Sequence, residues 1–266
     1  MDRGFCLAVG QSPAELSLIE DRLQWLGATL PAVAARGADL LLLPELFATG
    51  YNIGAQVVTR AQPADGPIAQ EIAALAKAHD VAIHYGFPEA DGDRIFNAAQ
   101  CFGPDGKRLG GHRKLALPLG FEREHFTPGQ TCTLFTYRTM RIATLICYDA
   151  EFPETARHVA SLGADLILVP TALGAQWDWV AQRMIPCRAY ENGVYLAYAN
   201  SAGTERGMEF LGQSVIATPN GQELARAGAQ ADVIYGILHP EQVTAAQARL
   251  PYLTDRHMLA LEIGQH

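Results

Sequence analysis

The chain has 266 residues, 49% hydrophobic and 18% charged, a globular balance that argues against long disorder. Twenty Lys and Arg against 28 Asp and Glu give a formal charge of −8, so there is no basic footprint for nucleic acid or an anionic membrane. The cysteines Cys6, Cys101, Cys132, Cys147 and Cys187 are odd in number and scattered without a CxxC pair, and they read as reduced thiols of a cytoplasmic protein.

Phe5–Val9 is a predicted strand, too short an apolar run before Gly10 for a signal-peptide core. Ser12-Pro13-Ala14-Glu15 reads as a capping box with proline at the first helical position, opening a helix towards Arg36. The four leucines Leu40–Leu43 have no polar face and predict a strand buried on both sides. Pro67–His79 is expected to be helical and Val81–Phe87 extended. Phe96–Phe102 and Lys107–His112 flank Gly103-Pro104-Asp105-Gly106, a hairpin signal.

Ile142–Cys147 reads as another apolar strand, followed by a turn and a helix from near Pro153. Leu166–Pro170, a helix over Trp177–Asn192 and Val194–Asn200 repeat the strand–helix–strand rhythm. Ser214–Thr218 and Val233–Leu238, either side of the Asn220-Gly221 turn, are expected to close the sheet region. The longest charge-free apolar run, Leu166–Ala175, is about half a membrane span. With no linker or repeat, residues 1–266 read as a single α/β domain with helices covering buried strands.

Several chemistry-bearing residues sit at or just after strand ends. Glu45 follows Leu40–Pro44 directly, and a carboxylate there is expensive unless something compensates it; a cap or an edge salt bridge would do so as well as a catalytic partner. Cys147 ends an apolar strand. It fits a small core residue, and it equally fits a nucleophile on a sharp turn that aims backbone N–H groups at one point. His112, Arg113 and Lys114 are consecutive, which for the first two reads as a solvated face. An apolar stretch follows Lys114, so its ammonium can be desolvated, either favouring a thiolate or stabilising an oxyanion. Glu122 by itself is one of several surface-type charges. The sequence holds no HExxH, P-loop, GxGxxG or GxSxG motif, so nothing asks for a metal or a nucleotide.

Taken together, Leu43-Pro44-Glu45-Leu46-Phe47 with Gly50-Tyr51, Arg113-Lys114, Glu122 ahead of Phe126-Thr127-Pro128-Gly129, and Cys147-Tyr148-Asp149 with Phe152-Pro153-Glu154 resemble the nitrilase superfamily of carbon–nitrogen hydrolases. The resemblance runs from the first strand to Tyr252-Leu253-Thr254-Asp255-Arg256. It implies a four-layer αββα sandwich, a homodimer or higher homo-oligomer with residues 240–266 as a tail at the interface, and no cofactor. It also implies roles: Cys147 as nucleophile, Glu45 as general base, Lys114 as the cation beside the oxyanion, and Glu122 as a second glutamate. The Tyr148 N–H would complete the oxyanion hole.

The resemblance points to a stand-alone amidase acting on a small neutral or amino-bearing carboxamide. An N-carbamoyl-amine hydrolase or a nitrilase is the alternative, and a non-catalytic binding protein on the same fold is the reading from another class. Branches that take carboxylate-bearing substrates tend to carry arginine where this chain has Ala150-Glu151. Glu151 either faces the pocket, welcoming a cationic group, or caps the helix that begins near Pro153. Phe47, Tyr51, Ala172, Leu173 and Trp177 are expected pocket walls, with packing against a partner subunit as the other reading of Trp177.

Overall fold

The computed structural model describes residues 3–259. Strands β1 (Phe5–Gln11), β2 (Leu40–Leu42), β3 (Ala82–Asp91), β4 (Arg94–Phe102) and β5 (Arg108–Arg113) lie side by side in one sheet. Strands β6 (Leu134–Tyr137), β7 (Met140–Thr144), β8 (Leu166–Pro170) and β9 (Tyr195–Ala199) form the second. A separate hairpin, β10 (Ala202–Glu205) and β11 (Met208–Leu211), follows, and β12 (Val215–Ala217) and β13 (Glu223–Arg226) extend the second sheet. The chain then crosses back, and β14 (Asp232–Leu238) pairs antiparallel with β1. In each sheet three neighbouring strands are parallel, β1–β2–β3 in one and β7–β8–β9 in the other.

The helices are α1 (Ile19–Ala35), α2 (Gln56–Arg60), α3 (Pro67–His79), α4 (Phe121–His125), α5 (Pro153–Ser161), α6 (Ile185–Asn192), α7 (Pro240–Arg249) and α8 (Tyr252–Asp255). Strand periodicity sorts the core into layers. Leu40 and Leu42 join the core shared by the two sheets, with Leu7, Val9, Ile142 and Leu166. Leu41 and Leu43 turn the other way, into the layer formed with Leu26 and Leu30 of α1 and Ile72 of α3. A run of four leucines is what a strand with cores on both faces requires. With α5 and α6 on the far side, the order of layers is α–β–β–α. No helix among the described residues is long and apolar enough to cross a membrane.

Three sequence expectations change. The first helix begins at Ile19 rather than Pro13, because Pro13 is held in a β-bridge to Ala202, with Ala14 and Glu15 in a turn: Ala14 N–H donates to Ala202 O at 2.8 Å and Ala202 N–H to Ser12 O at 2.9 Å. Ser12 is therefore no helix cap; its hydroxyl meets that of Ser201. The stretch Trp177–Asn192 is broken into a 3-10 turn, a π turn over Val180–Met184 and α6. Pro186 in the first turn of α6 has no N–H to give to a carbonyl four residues back, and Ile185 bonds instead to Val180, five back. The Asn220-Gly221 turn joins β12 to β13, a strand the sequence reading missed, and β14 lies in the opposite sheet.

The C-terminal stretch lies partly on its own chain. Helix α7 buries Val243, and α8 packs against α5 and α6. Residues 260–266 of the expected interface tail lie outside the described residues.

Candidate active site

The carboxyl ends of the parallel strands of both sheets converge, the usual place for a site in such sheets. The chain leaving β2 turns at once and presents Glu45, whose N–H donates to Thr171 O at 3.3 Å, just past the end of β8 in the other sheet. This turn rests on Gly86 of β3. A Cβ there would collide with the backbone of Pro44, Glu45 and Leu46, so only glycine lets β3 come close enough to seat Glu45. Lys114 follows β5; its N–H donates to Asn97 O at 2.8 Å and its carbonyl accepts from Gly129 N–H at 2.7 Å. Glu122 lies on α4. Cys147 opens the 3-10 turn Cys147–Glu151 after β7 with φ +47°, a left-handed backbone that costs a non-glycine residue about 1–2 kcal/mol.

Glu45, Lys114 and Glu122 are all buried, with Lys114 0% exposed. The Lys114 Nζ donates to Glu45 Oε1 at 2.7 Å and to Glu122 Oε1 at 2.6 Å. An ammonium has three protons, so one remains for another acceptor. The Asn97 amide donates to Glu45 Oε1 at 2.6 Å and Glu122 Oε2 at 3.2 Å, and the Tyr51 hydroxyl donates to Glu122 Oε1 at 2.8 Å. Both oxygens of Glu122 are thus occupied, whereas the buried Glu45 Oε2 has no hydrogen-bond partner among the described residues. The two carboxylates are not equivalent: Glu122 is held, and Glu45 keeps an oxygen free to take a proton.

Electrostatics follow from burial. Desolvation, with Glu122 adding to it, raises the Glu45 carboxyl to about 7 against the pull of Lys114. Desolvation and Glu45 push the Cys147 thiol well above its usual range, although Lys114 and the Thr171 side chain draw it down. For Lys114 burial alone would favour the neutral amine, but Glu45, Cys147 and Glu122 outweigh it and hold it charged. The resting sulfur is therefore a thiol, and reaction needs an adjacent base.

A cavity of about 500 Å3 opens over Cys147. Tyr51, Tyr148, Glu151, Ala172, Leu173 and Trp177 all line it, together with Met208 and Leu119, which the sequence reading did not single out. Trp177 stands at its mouth, 58% exposed. Phe47 does not line it and must be corrected. It is 1% exposed in the core under α1, against Trp25 at 5.9 Å, because the chain reverses at Leu46, whose φ is +48°, and carries the ring away from the cavity. Glu151 makes no helix cap: the cap position of α5 is Phe152, without a side-chain cap bond. The Glu151 carboxylate has no hydrogen-bond partner among the described residues, and burial raises its pKa, opposed by Lys114 and Arg188. No arginine or lysine among the described residues lines this cavity.

His112 and Arg113 are not a solvated face. His112 is 5% exposed, 3.0 Å from Asp149, and Arg113 forks onto Glu89. Sequence reading also missed Asn97 and a buried clamp. Arg22 of α1 pairs with Glu205 of β10 at 2.9 Å, and Glu205 Oε2 accepts the N–H groups of Tyr51 at 2.9 Å and Asn52 at 2.5 Å. Gly50, at φ +93°, lets this happen, since a Cβ there would fall on Glu205 Oε1. The clamp fixes the loop that carries Tyr51 to Glu122.

The carbon-nitrogen hydrolase family model matches residues 6–248. A hydrolase encoded in the pqqF 5′ region of Pseudomonas protegens is 44% identical over 228 residues, 85% of this chain and 80% of that one. An (R)-stereoselective amidase of a Pseudomonas species is 34% identical over 245 residues, 91% and 89% of the two chains. Among solved structures, a Cys→Ala variant of the amidase from Nesterenkonia sp. AN1 in complex with butyramide superposes with a TM-score of 0.81 at 29% identity, covering 97% of this chain and 98% of that one. Another structure of the same amidase, with TM-score 0.82, 29% identity and the same coverage, shows the acetamide moiety of fluoroacetamide added covalently at the active-site cysteine.

Proposed function

The chain belongs to the carbon–nitrogen hydrolase family, and from that premise we propose that it hydrolyses a small carboxamide, favouring one that bears an amino group, to a carboxylic acid and ammonia. The observation that carries the residue roles is the inequivalence of the two glutamates: one buried oxygen, Glu45 Oε2, is left without a partner beside a thiol that cannot ionise unaided.

In this reading Glu45 takes the thiol proton as Cys147 Sγ attacks the amide carbon. The tetrahedral oxyanion is met by the third Lys114 proton and by the Tyr148 N–H, which as the second residue of a 3-10 turn has no helical carbonyl to bond. One such donor is worth about 3–4 kcal/mol of the barrier. Glu45 returns the proton to the nitrogen as the C–N bond breaks and ammonia leaves. It then deprotonates a water that attacks the thioester, and the carboxylic acid departs as the Cys147 thiol is re-formed. The chemistry of these side chains is sufficient without a cofactor.

Glu151 supports the amino-bearing preference. It is an uncommitted carboxylate in a cavity whose lining contains no arginine or lysine to receive a substrate carboxylate. The test is ammonia release from propionamide, prolinamide, N-carbamoylputrescine, an N-carbamoyl amino acid, an ω-amide and propionitrile. The cationic prolinamide is expected to lead and the carboxylate-bearing compounds to be ignored. Glu151→Gln is expected to lower kcat/KM for prolinamide by about 10–100-fold, the worth of one charge-assisted hydrogen bond, with propionamide nearly unchanged. Equal losses on both amides would remove Glu151 from recognition, and preference for a carbamoyl compound or nitrile would overturn the substrate class.

A cytoplasmic homodimer belongs to the same proposal. Its support is the exposed apolar surface of α6 and α8, where Tyr190 and Tyr252 lie edge to face at 6.5 Å, continued by Met258 in the 3-10 turn after α8, 75% exposed. Light scattering is expected to give twice the protomer mass; a monomer at micromolar concentration would overturn it.

A further inference from the structure

The Asp149 carboxylate is 0% exposed, yet the mechanism above gives it no step. It is not idle structurally. Its Oδ1 accepts the N–H groups of Leu115 at 3.0 Å and Ala116 at 2.8 Å, the two residues that follow Lys114. Its Oδ2 accepts the N–H of Ile146 at 3.1 Å, the residue before Cys147, and meets His112 Nε2 at 3.0 Å. His112 is itself two residues before Lys114, near the end of β5. One side chain therefore ties both flanks of the lysine segment to the front of the nucleophile turn.

We infer that Asp149, with His112 as its donor, is a positioning residue that sets the distance between the Lys114 ammonium and the Cys147 sulfur. The inference rests on the reading of Cys147 as nucleophile and goes beyond it. Three observations carry it. First, the two segments come from different sheets, β5 in one and β7 in the other, so no ladder hydrogen bonds fix their separation. Second, Cys147 sits at positive φ, a conformation that the surroundings must hold. Third, every acceptor direction of the carboxylate is spent on these two segments, two donors to each oxygen. Oxyanion stabilisation is steeply geometric, so a shift well under about 1 Å between Nζ and Sγ is felt in the transition state before it is felt in substrate binding. Asp149 touches no reacting atom and acts through the two segments it joins.

The partner choice makes the role separable from simple burial. Asp149→Asn keeps the volume and one acceptor oxygen, but turns an NH2 towards the Ile146 N–H and the His112 ring. His112→Leu removes the ring donor, whereas His112→Gln returns an N–H donor at the place of Nε2. Steady-state constants would be measured per active site, with the reactive Cys147 population counted by covalent titration with an electrophilic amide.

Asp149→Asn and His112→Leu are each expected to lower kcat by about 10–100-fold with KM within about threefold. His112→Gln is expected to recover most of that loss, and the Asp149→Asn, His112→Leu double variant to lose no more than the worse single one. A kcat within about threefold of wild type in Asp149→Asn would overturn the inference. So would equal kcat in His112→Leu and His112→Gln, or losses that multiply in the double variant. If Asp149→Asn fails to fold, the His112 pair decides alone. Failure of the underlying reading looks different: full turnover in Cys147→Ala.

Discussion

Cys147→Ala is expected to fold with the wild-type circular dichroism spectrum and to lose ammonia release by at least about 10^4-fold, the scale on which removal of a nucleophile acts. The physical reason for so large a loss is that nothing else in the cavity can replace the sulfur. The Glu151 carboxylate in the cavity wall is a poor nucleophile, and Lys114 is held charged between two carboxylates, so its nitrogen has no lone pair to offer. Cys147→Ser restores a nucleophilic atom type but not the activity, because a hydroxyl surrounded by Glu45 and Glu122 is far harder to deprotonate than a thiol. The stability effect should be small for alanine, which meets the same left-handed backbone at φ +47°. For glycine it should be favourable by about 1 kcal/mol, since the Cβ clash disappears. Urea unfolding of Cys147→Ala and Cys147→Gly checks the second part, and turnover above about one ten-thousandth of wild type in Cys147→Ala would rule out the nucleophile assignment.

The second large effect is on both activity and stability. Lys114→Met keeps the length of the side chain and removes the charge that separates Glu45 from Glu122. Activity is expected to fall by more than about 10^3-fold, the loss of one oxyanion donor plus the misplacement of the base. Stability is expected to fall by about 3–5 kcal/mol, the cost of leaving buried charge without its partner. The pH dependence gives this prediction its sign. Glu45 already has a folded-state pKa raised from 4.5 to about 7, so its contribution to stability is full below 4.5 and is lost as pH rises through 7. Without Lys114 the folded-state value rises further, so the loss still begins near 4.5 but continues to higher pH. The variant should therefore be closest to wild type near about pH 5 and furthest from it near about pH 8. Urea midpoints at these two pH values measure it, and a deficit that grows towards acid would contradict the arrangement.

How much of this was legible from sequence depends on the range of the interaction. The strands β2 and β8 could be read because a strand with cores on both faces must be apolar throughout, and Leu40–Leu43 and Leu166–Pro170 are. The β4–β5 hairpin announced itself through Gly103-Pro104-Asp105-Gly106. Glu45, Lys114, Glu122 and Cys147 were readable as a set because each sits in a local motif. Asn97, which donates to both glutamates, was not, because an asparagine on a strand carries no local mark. The Arg22–Glu205 clamp joins residues 183 positions apart, and neither has a neighbour that hints at the other. The errors have the same origin. Ser12-Pro13-Ala14-Glu15 has the form of a helix start, but a distant partner, Ala202, binds it in a β-bridge. Phe47 stands two residues after Glu45, yet the turn between them sends its ring into the core.

The pairing of β1 with β14 has a consequence for how the chain acquires its fold. Phe5 opposes Leu238 and Gln11 opposes Asp232, so the first strand made waits for almost the last. Until then β1 has β2 on one side and, on the other, an open edge of unpaired backbone N–H and C=O groups. Contacts of this sequence separation close slowly. During synthesis, and in any product truncated before residue 232, that edge is where association with other chains would begin. Pairing of β14 therefore protects the chain's solubility during folding as well as completing the sheet.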